Sequence, residues 1–250
     1  MRKKKSSLNQ LIKIINLIVI LHISTGCSQE QPATWNDIKN LNLRVTLDGV
    51  NFNEPLHYHA VFARDPSDWP EISSKIREGK ERSTVDNVIV YALLPDLEPV
   101  TEKNKKDFTA LGWGRKLDAY LTHSRSWEYY FKHSAPKTLE RLPNLPDVPE
   151  MLHYKDKDNQ DDIFLSHDNA VPELTLIRCK HAEEAYQSPY CKVETQYRYE
   201  TPNNKNGDKK ITPFYLNYSF SRSYLPEWRE IDRKLKALYD QFAQSAEKQP

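Results

Sequence analysis

The chain has 250 residues, with 36 basic and 35 acidic side chains and a formal charge of +1, and its basic excess sits at the front. Residues 1–26 hold Arg2, Lys3, Lys4, Lys5 and Lys13 and no acid, so without them +1 becomes about −4, and no clustered basic footprint for nucleic acid is left. Fourteen Tyr, eight Phe and five Trp favour strands, while sixteen Pro and only six Gly punctuate the chain too often for a bundle of long helices.

Arg2 to Lys5 precede an apolar run over 11–23, interrupted by Lys13, Asn16 and His22, and Ser24-Thr25-Gly26-Cys27 follow at once. The run is short for a membrane span of ~20 residues. Its order, basic then apolar then small, is that of a signal peptide over 1–26, cut between Gly26 and Cys27. A cysteine directly after the cut resembles the lipobox of bacterial lipoproteins, although Ser24 stands where that motif has Leu, Val or Ile. The resemblance implies a diacylglycerol on the Cys27 thiol and an acylated amino terminus, and two or three acyl chains at ~0.8 kcal/mol per buried methylene hold a protein stably at a membrane. An ordinary secreted protein cut nearby, or an uncleaved anchor, would begin with the same leader. Ser28, rather than Asp, resembles the outer-membrane sorting signal, so the expected location is the periplasm-facing surface of a Gram-negative outer membrane. Residues 27–34 are then a lipidated tether, whose seven extended residues beyond Cys27 reach at most ~25 Å.

Residues 35–135 read as a first β-rich half. Leu41, Leu43, Val45 and Leu47 alternate with polar residues, which predicts a half-buried strand, and Asp48-Gly49 predicts a turn after it. A second strand is expected over 56–64. It would place His57 and His59 on one face, a conceivable metal pair that lacks a third ligand at any recognised spacing, so no metal is expected. A short helix is expected over 70–77. The apolar stretch 88–94 suits a buried strand at the centre of the first sheet, and 98–107 suits a charged loop. Gly112-Trp113-Gly114 lacks the Lys-Ser or Lys-Thr of a phosphate loop. Trp127, Tyr129, Tyr130 and Phe131 form an aromatic run that fits either core or a binding patch.

Four prolines within 135–150 exclude a regular helix or a central strand, so 136–150 is read as a link between halves. The acidic stretch after it fails as a calcium loop: with Asp156 at position 1, Asp161 stands where Gly belongs and His167 where Glu belongs. It reads as a solvated turn. Residues 151–250 form the second half, with strands expected over 163–165, 174–180, 190–200 and 214–224, the last two joined by a loop through 203–208. Phe214, Leu216, Tyr218, Phe220 and Arg222 should share the inward face, and Tyr215, Asn217, Ser219 and Ser221 the other. Cys179 and Cys191 would pair in an exported chain whose other cysteine is lipidated, pinning 182–189 as a protrusion. Two free thiols or a zinc pair are the alternatives. Over 225–245, Pro226 suits a first helical position, and Trp228, Ile231, Leu235, Leu238 and Phe242 form one apolar stripe. That stripe fits packing on the preceding strands, or a partner. The fold class expected is α+β, mainly antiparallel β, in two β-rich halves, the second a meander with an amphipathic C-terminal helix.

The chain has no Gly-x-Ser-x-Gly elbow, no phosphate loop and no His-Glu-x-x-His. Ser166-His167-Asp168 would alternate between faces of a strand and so cannot act as a triad. A binding protein without enzymatic activity and without cofactor is expected. The arrangement of Cys179, Cys191, Tyr218-Ser219-Phe220-Ser221-Arg222 and Leu225-Pro226-Glu227-Trp228-Arg229-Glu230-Ile231-Asp232 resembles immunity lipoproteins paired with type VI secretion lipase effectors; the first half of the chain adds nothing to it. The resemblance implies a periplasmic protein, held to the membrane by its lipid, that binds a phospholipase toxin and blocks it. Glu183, Tyr186, Gln187 and Tyr190, on or beside the pinned loop, are the candidate contacts. A structural or assembly lipoprotein of the envelope is the alternative with the same anchor.

Overall fold

The computed structural model describes residues 34–59, 63, 82–124, 138–166, 174–180, 188–201 and 210–248. The leader, Cys27, the helix expected over 70–77, the aromatic run at 127–131, His167, Asp168, the loop through 203–208, and Glu183, Tyr186 and Gln187 lie outside them. Ala33–Pro250 forms one compact unit.

The fold is mostly antiparallel β with a C-terminal helix. After a short helix α1 (Trp35–Lys39), strands β1 (Asn42–Leu47) and β2 (Val50–Pro55) form a hairpin. Its turn is the predicted Asp48-Gly49, with φ of 49° and 78°; positive φ at both positions belongs to the two-residue turn that matches strand twist. Strand β3 (Ser83–Thr84) adds to β1 in parallel, giving a sheet of order β2-β1-β3.

A larger sheet has the order β4-β5-β11-β10-β9-β8-β7-β6. Its strands are β4 (Asn87–Leu93), β5 (Lys116–His123), β6 (Leu139–Arg141), β7 (Met151–Asp156), β8 (Asp162–Ser166), β9 (Thr175–Cys179), β10 (Tyr190–Thr201) and β11 (Lys210–Ser221). From β6 to β11 every strand pairs with the next, which is the predicted meander, and β5 pairs with β11. The β-rich stretches on either side of the proline-rich segment therefore supply one sheet. That segment packs as well as links: Val148 is fully buried and β6 is an edge strand.

On β11, Phe214, Leu216, Tyr218 and Phe220 face inward and are buried, as the alternation predicts. Helix α3 (Trp228–Glu247) follows a 3-10 turn (Arg222–Glu227) that contains Pro226, so the helix starts two residues later than Pro226 suggests. It buries Trp228, Ile231, Leu235, Tyr239 and Phe242 in the main core, and Tyr239 takes the place expected of Leu238, which is only partly buried. Three phenols tie the sheet to this helix. Tyr218 donates to Asp232 (3.1 Å), Tyr197 to Asp240 (2.5 Å) and Tyr199 to Glu247 (2.9 Å). Burial, with the carboxylate beside each ring adding to it, holds all three phenols protonated far above their ordinary range.

Two expectations are corrected. The second strand is β2, which ends at Pro55, and Leu56–Tyr58 is a 3-10 turn, so His57 and His59 do not share a strand face. Polar residues hid that strand: Asn53 and Glu54 are buried because the Asn53 amide donates to the Ser245 carbonyl (3.1 Å) and Glu54 accepts from the Ile89 N–H (3.1 Å). Strand β4 lies at one end of the large sheet and not at its centre. It looks central in sequence because its outer edge is covered: Glu54 takes the Ile89 N–H (3.1 Å), and Leu93 exchanges both backbone hydrogen bonds with Glu98 (2.9 Å each).

Truncation of the fully buried Leu235 should test the helix packing. Leu235→Ala is expected to cost about 3 kcal/mol, read as a lower urea midpoint with an unchanged slope.

Candidate functional site

Tyr190, the Cys179 and Cys191 pair and the Gly-Trp-Gly turn come together where the β4–β5 connection meets the β9–β10 hairpin. The connection is built stiffly. Thr101 and Asn104 exchange hydrogen bonds (Thr101 N–H to the Asn104 side-chain Oδ1, 2.7 Å; Asn104 N–H to the Thr101 hydroxyl, 3.2 Å) and so start the short helix α2 (Lys105–Thr109). Arg115 closes the loop at its base, donating to the Leu94 carbonyl (2.6 Å) and pairing with Glu98 (2.6 Å). Between them the chain runs Ala110-Leu111-Gly112-Trp113-Gly114, with Leu111 97% exposed.

Gly112 has a φ of +73°, and a Cβ there would stand 2.4 Å from the Ser188 hydroxyl oxygen and 3.3 Å from its Cβ. A side chain at this position would push the Ser188 hydroxyl aside and strain the backbone at this φ, so glycine suits the contact between the two loops. One residue on, the Trp113 ring stacks on Tyr190, centroids 5.0 Å apart and planes at 26°, both rings half-buried. Gly112-Trp113-Gly114 thus serves as a docking turn for the hairpin.

Beneath that stack the hairpin is locked. Cys179 and Cys191 form a disulfide and stand opposite one another in the ladder between β9 and β10, both fully buried. The next rung carries the Lys180 N–H to Tyr190 carbonyl bond (2.8 Å). The bridge therefore pins the two strands that lead into and out of residues 181–187. Pro189 is held from the other side by the Arg222 N–H (3.0 Å).

Arg222 in turn reaches Asp162, which stands opposite Cys179 in the ladder and also receives His153 (3.2 Å) and Lys155 (3.7 Å). Burial alone would raise the Asp162 carboxyl, but hydrogen bonds from Arg222 and His153, with the Arg222 and Lys155 charges, hold it below the usual carboxylate range. The strand ends at Ser221, so Arg222, expected on the inward face of β11, instead opens the 3-10 turn and reaches Asp162 from there.

Of the predicted contact residues, Tyr190 is the one within the described chain, and the structure stacks it on Trp113, while Gly112 meets Ser188. Neither contact was expected from spacing. Gly-Trp-Gly, read as a turn that admits a neighbouring backbone and leaves an aromatic beside it, was the signal available.

His59, His123 and His153 are each taken up by a neighbouring carboxylate or carbonyl. His153 presents Nδ1 to the Pro143 carbonyl (3.0 Å) and Nε2 to Asp162, and stacks on Phe164 (4.7 Å, 11°), so both ring nitrogens are committed to acceptors. His59 pairs with Glu54 (3.0 Å), and His123 with Asp48. The His123 pair joins segments distant in the chain, whereas the His59 and His153 pairs are local. No cluster of three or more His, Cys, Asp or Glu side chains among the described residues is arranged to hold a metal ion. In place of a calcium loop, Asp156 accepts the N–H groups of Asp158 (3.0 Å) and Asn159 (3.4 Å) and the Asn159 amide (2.9 Å), which makes a self-bonded turn.

No known protein family and no curated protein matches this chain. Among solved structures it is similar to Smlt3025, an immunity protein of the Stenotrophomonas maltophilia type IV secretion system. The identity is 9%, the match covers 81% of this chain and 93% of that one, and the TM-score is 0.44.

Two measurements follow from this geometry. Gly112→Ala should lower stability more than Gly114→Ala, because both positions have positive φ but an added Cβ meets nothing within 4 Å at Gly114; the strain common to both is about 1 kcal/mol, and Ser188→Gly should return part of the excess at Gly112. The second is a pH series. A carboxyl depressed by folding adds stability that is fully present above its unfolded value of about 4 and is lost as pH falls through the folded value. Urea titrations should therefore show Asp162→Asn less stable than wild type at neutral pH, with the gap narrowing below about pH 4.

Proposed function

We propose that this chain is an immunity protein, tethered to the bacterial envelope through Cys27, that binds a cognate secreted toxin and blocks it by occlusion with no chemistry of its own. The observation that carries this reading is the Trp113/Tyr190 stack: two half-buried aromatic rings from separate loops, held by the Gly112/Ser188 contact above and by the Cys179 to Cys191 bridge below. A rigid aromatic pair beside a covalently pinned hairpin loses little conformational entropy on docking, and such anchors dominate interfaces of ~1,600 Å². The finer identity, a type VI secretion lipase effector met on the periplasmic side of the outer membrane, draws on the C-terminal sequence resemblance and on Ser28 after the lipidated cysteine.

The test uses residues 28–250 with the disulfide formed and a lipase toxin encoded beside this gene. Stoichiometric loss of lipase activity on mixing is expected. Trp113→Ala and Tyr190→Ala should each weaken binding by about 30-fold or more while leaving the unfolding transition of the free protein near that of wild type. Full inhibition by the double variant would remove this surface from the interface, and no effect on the lipase would end the immunity reading.

A further inference from the structure

The face of the large sheet turned away from the core holds a carboxylate with no donor of its own. On β5, Lys116, Asp118 and Tyr120 alternate with the fully buried Leu117, Ala119 and Leu121, so these three side chains share the outer face. Asp118 stands opposite Tyr91 of β4 and Ser219 of β11. It is half-buried, and among the described residues no hydrogen bond reaches its carboxylate. Burial raises the Asp118 carboxyl, and the charge of Lys116 offsets that only in part.

The neighbouring cations are engaged elsewhere. Lys116 donates to the Ala110 carbonyl (2.7 Å), and Lys192, opposite Ser219 on the far side of β11, is held by Glu194 (2.7 Å). Arg178 is one strand further away, opposite Lys192. What borders Asp118 is aromatic. The half-buried Tyr91 and Tyr120 share a hydrogen bond between their hydroxyls (2.9 Å), and their rings meet edge to face with centroids 6.4 Å apart. Their oxygens keep lone pairs that can accept from a visiting N–H. A carboxylate, two phenol oxygens and two rings side by side match a guanidinium, which is planar, donates in a fixed fork and stacks on aromatic faces; an ammonium is a point charge that would use only part of the set.

Position ties this group to the aromatic stack. Ser221, two residues along β11 from Ser219 and on the same face, stands opposite Tyr190. Asp118 is therefore one pleat repeat, ~7 Å along the strands, from the row that carries Tyr190. We propose that Asp118, with Tyr91 and Tyr120, receives an arginine side chain of the cognate toxin, so that the interface runs from the Trp113/Tyr190 stack onto the outer face of β4, β5 and β11. This contact rests on the immunity reading proposed above and gives that reading the chemistry of one toxin group. A carboxylate already stripped of part of its water gains more from an arriving cation than a fully exposed acid does, and the same stripping is costly to the free protein. A carboxyl raised by folding loses stability as pH rises from its unfolded value of about 4 through the folded value, and the loss is fully present above that.

The experiment compares residues 28–250, wild type and Asp118→Asn, as inhibitors of the lipase toxin encoded beside this gene, with a urea titration of each free protein. Asp118→Asn should weaken inhibition by about 30-fold or more while raising the urea midpoint at neutral pH, a gain that narrows below about pH 4. A lowered midpoint would make the carboxylate a structural group and overturn the proposal. In a double-mutant cycle the toxin's surface arginines are changed to Ala one at a time, and one of them should lose little further affinity once Asp118 is Asn. Strictly additive losses at every arginine, or unchanged inhibition by Asp118→Asn beside a weakened Trp113→Ala, overturn the arginine contact and leave the immunity reading standing. No inhibition by the wild type removes both.

Discussion

Three phenols donating to three carboxylates of one helix set the geometry on which the rest depends. Tyr218, Tyr197 and Tyr199 come from the two longest strands, and Asp232, Asp240 and Glu247 lie seven and eight residues apart on α3, which keeps them along one side of the helix. The aromatic rings supply buried apolar area while their hydroxyls satisfy acidic groups at the margin of the core. The hydrogen bonds leave the helix one position on the sheet, where a purely apolar stripe would tolerate sliding. The three-stranded sheet then takes its place from the helix, through Asn53 on the Ser245 carbonyl and the ring contact of Tyr58 with Phe242 (5.6 Å).

The C-terminal part was legible because its residues obey simple periods. Alternation on β11 and the apolar stripe of α3 gave the elements, their faces and the meander, and two cysteines with no other folded partner gave the bridge. The N-terminal part was harder, because its buried positions are not all apolar. Asn53 and Glu54 look like loop residues until the Ser245 carbonyl and the Ile89 N–H are seen to receive them, and β4 looks like a central strand until Glu54 is seen to cover its edge. Both errors have one cause. A side chain that satisfies a distant backbone group leaves no trace in local pattern.

The candidate site was half legible for a related reason. Tyr190 could be named from its place beside the bridge, and Trp113 stood out by its glycines, but nothing in the spacing of residues 113 and 190 announces that their rings stack. What joins them is β11, which lies between β5 and β10 and so carries the loops at their ends into register. The Asp162 and Arg222 pair extends that order toward Pro189 and links the position of the hairpin to the electrostatics of β8. Recognition surface and fold are therefore the same construction.

The position of β11 also bears on how the molecule is made. The strands on either side of it, β5 and β10, are separated in the chain by all of β6 to β9, yet the large sheet is continuous only through the penultimate element of the sequence. Until residues 210–221 emerge, β4 and β5 are an isolated hairpin without the rest of its sheet, and their apolar faces await α3, which comes later still. A polypeptide delivered amino terminus first thus stays unfinished over most of its synthesis. Its genetic corollary is that a stop codon anywhere ahead of α3 yields no smaller working version of the protein, because the pieces that close the architecture are encoded after the strands they join.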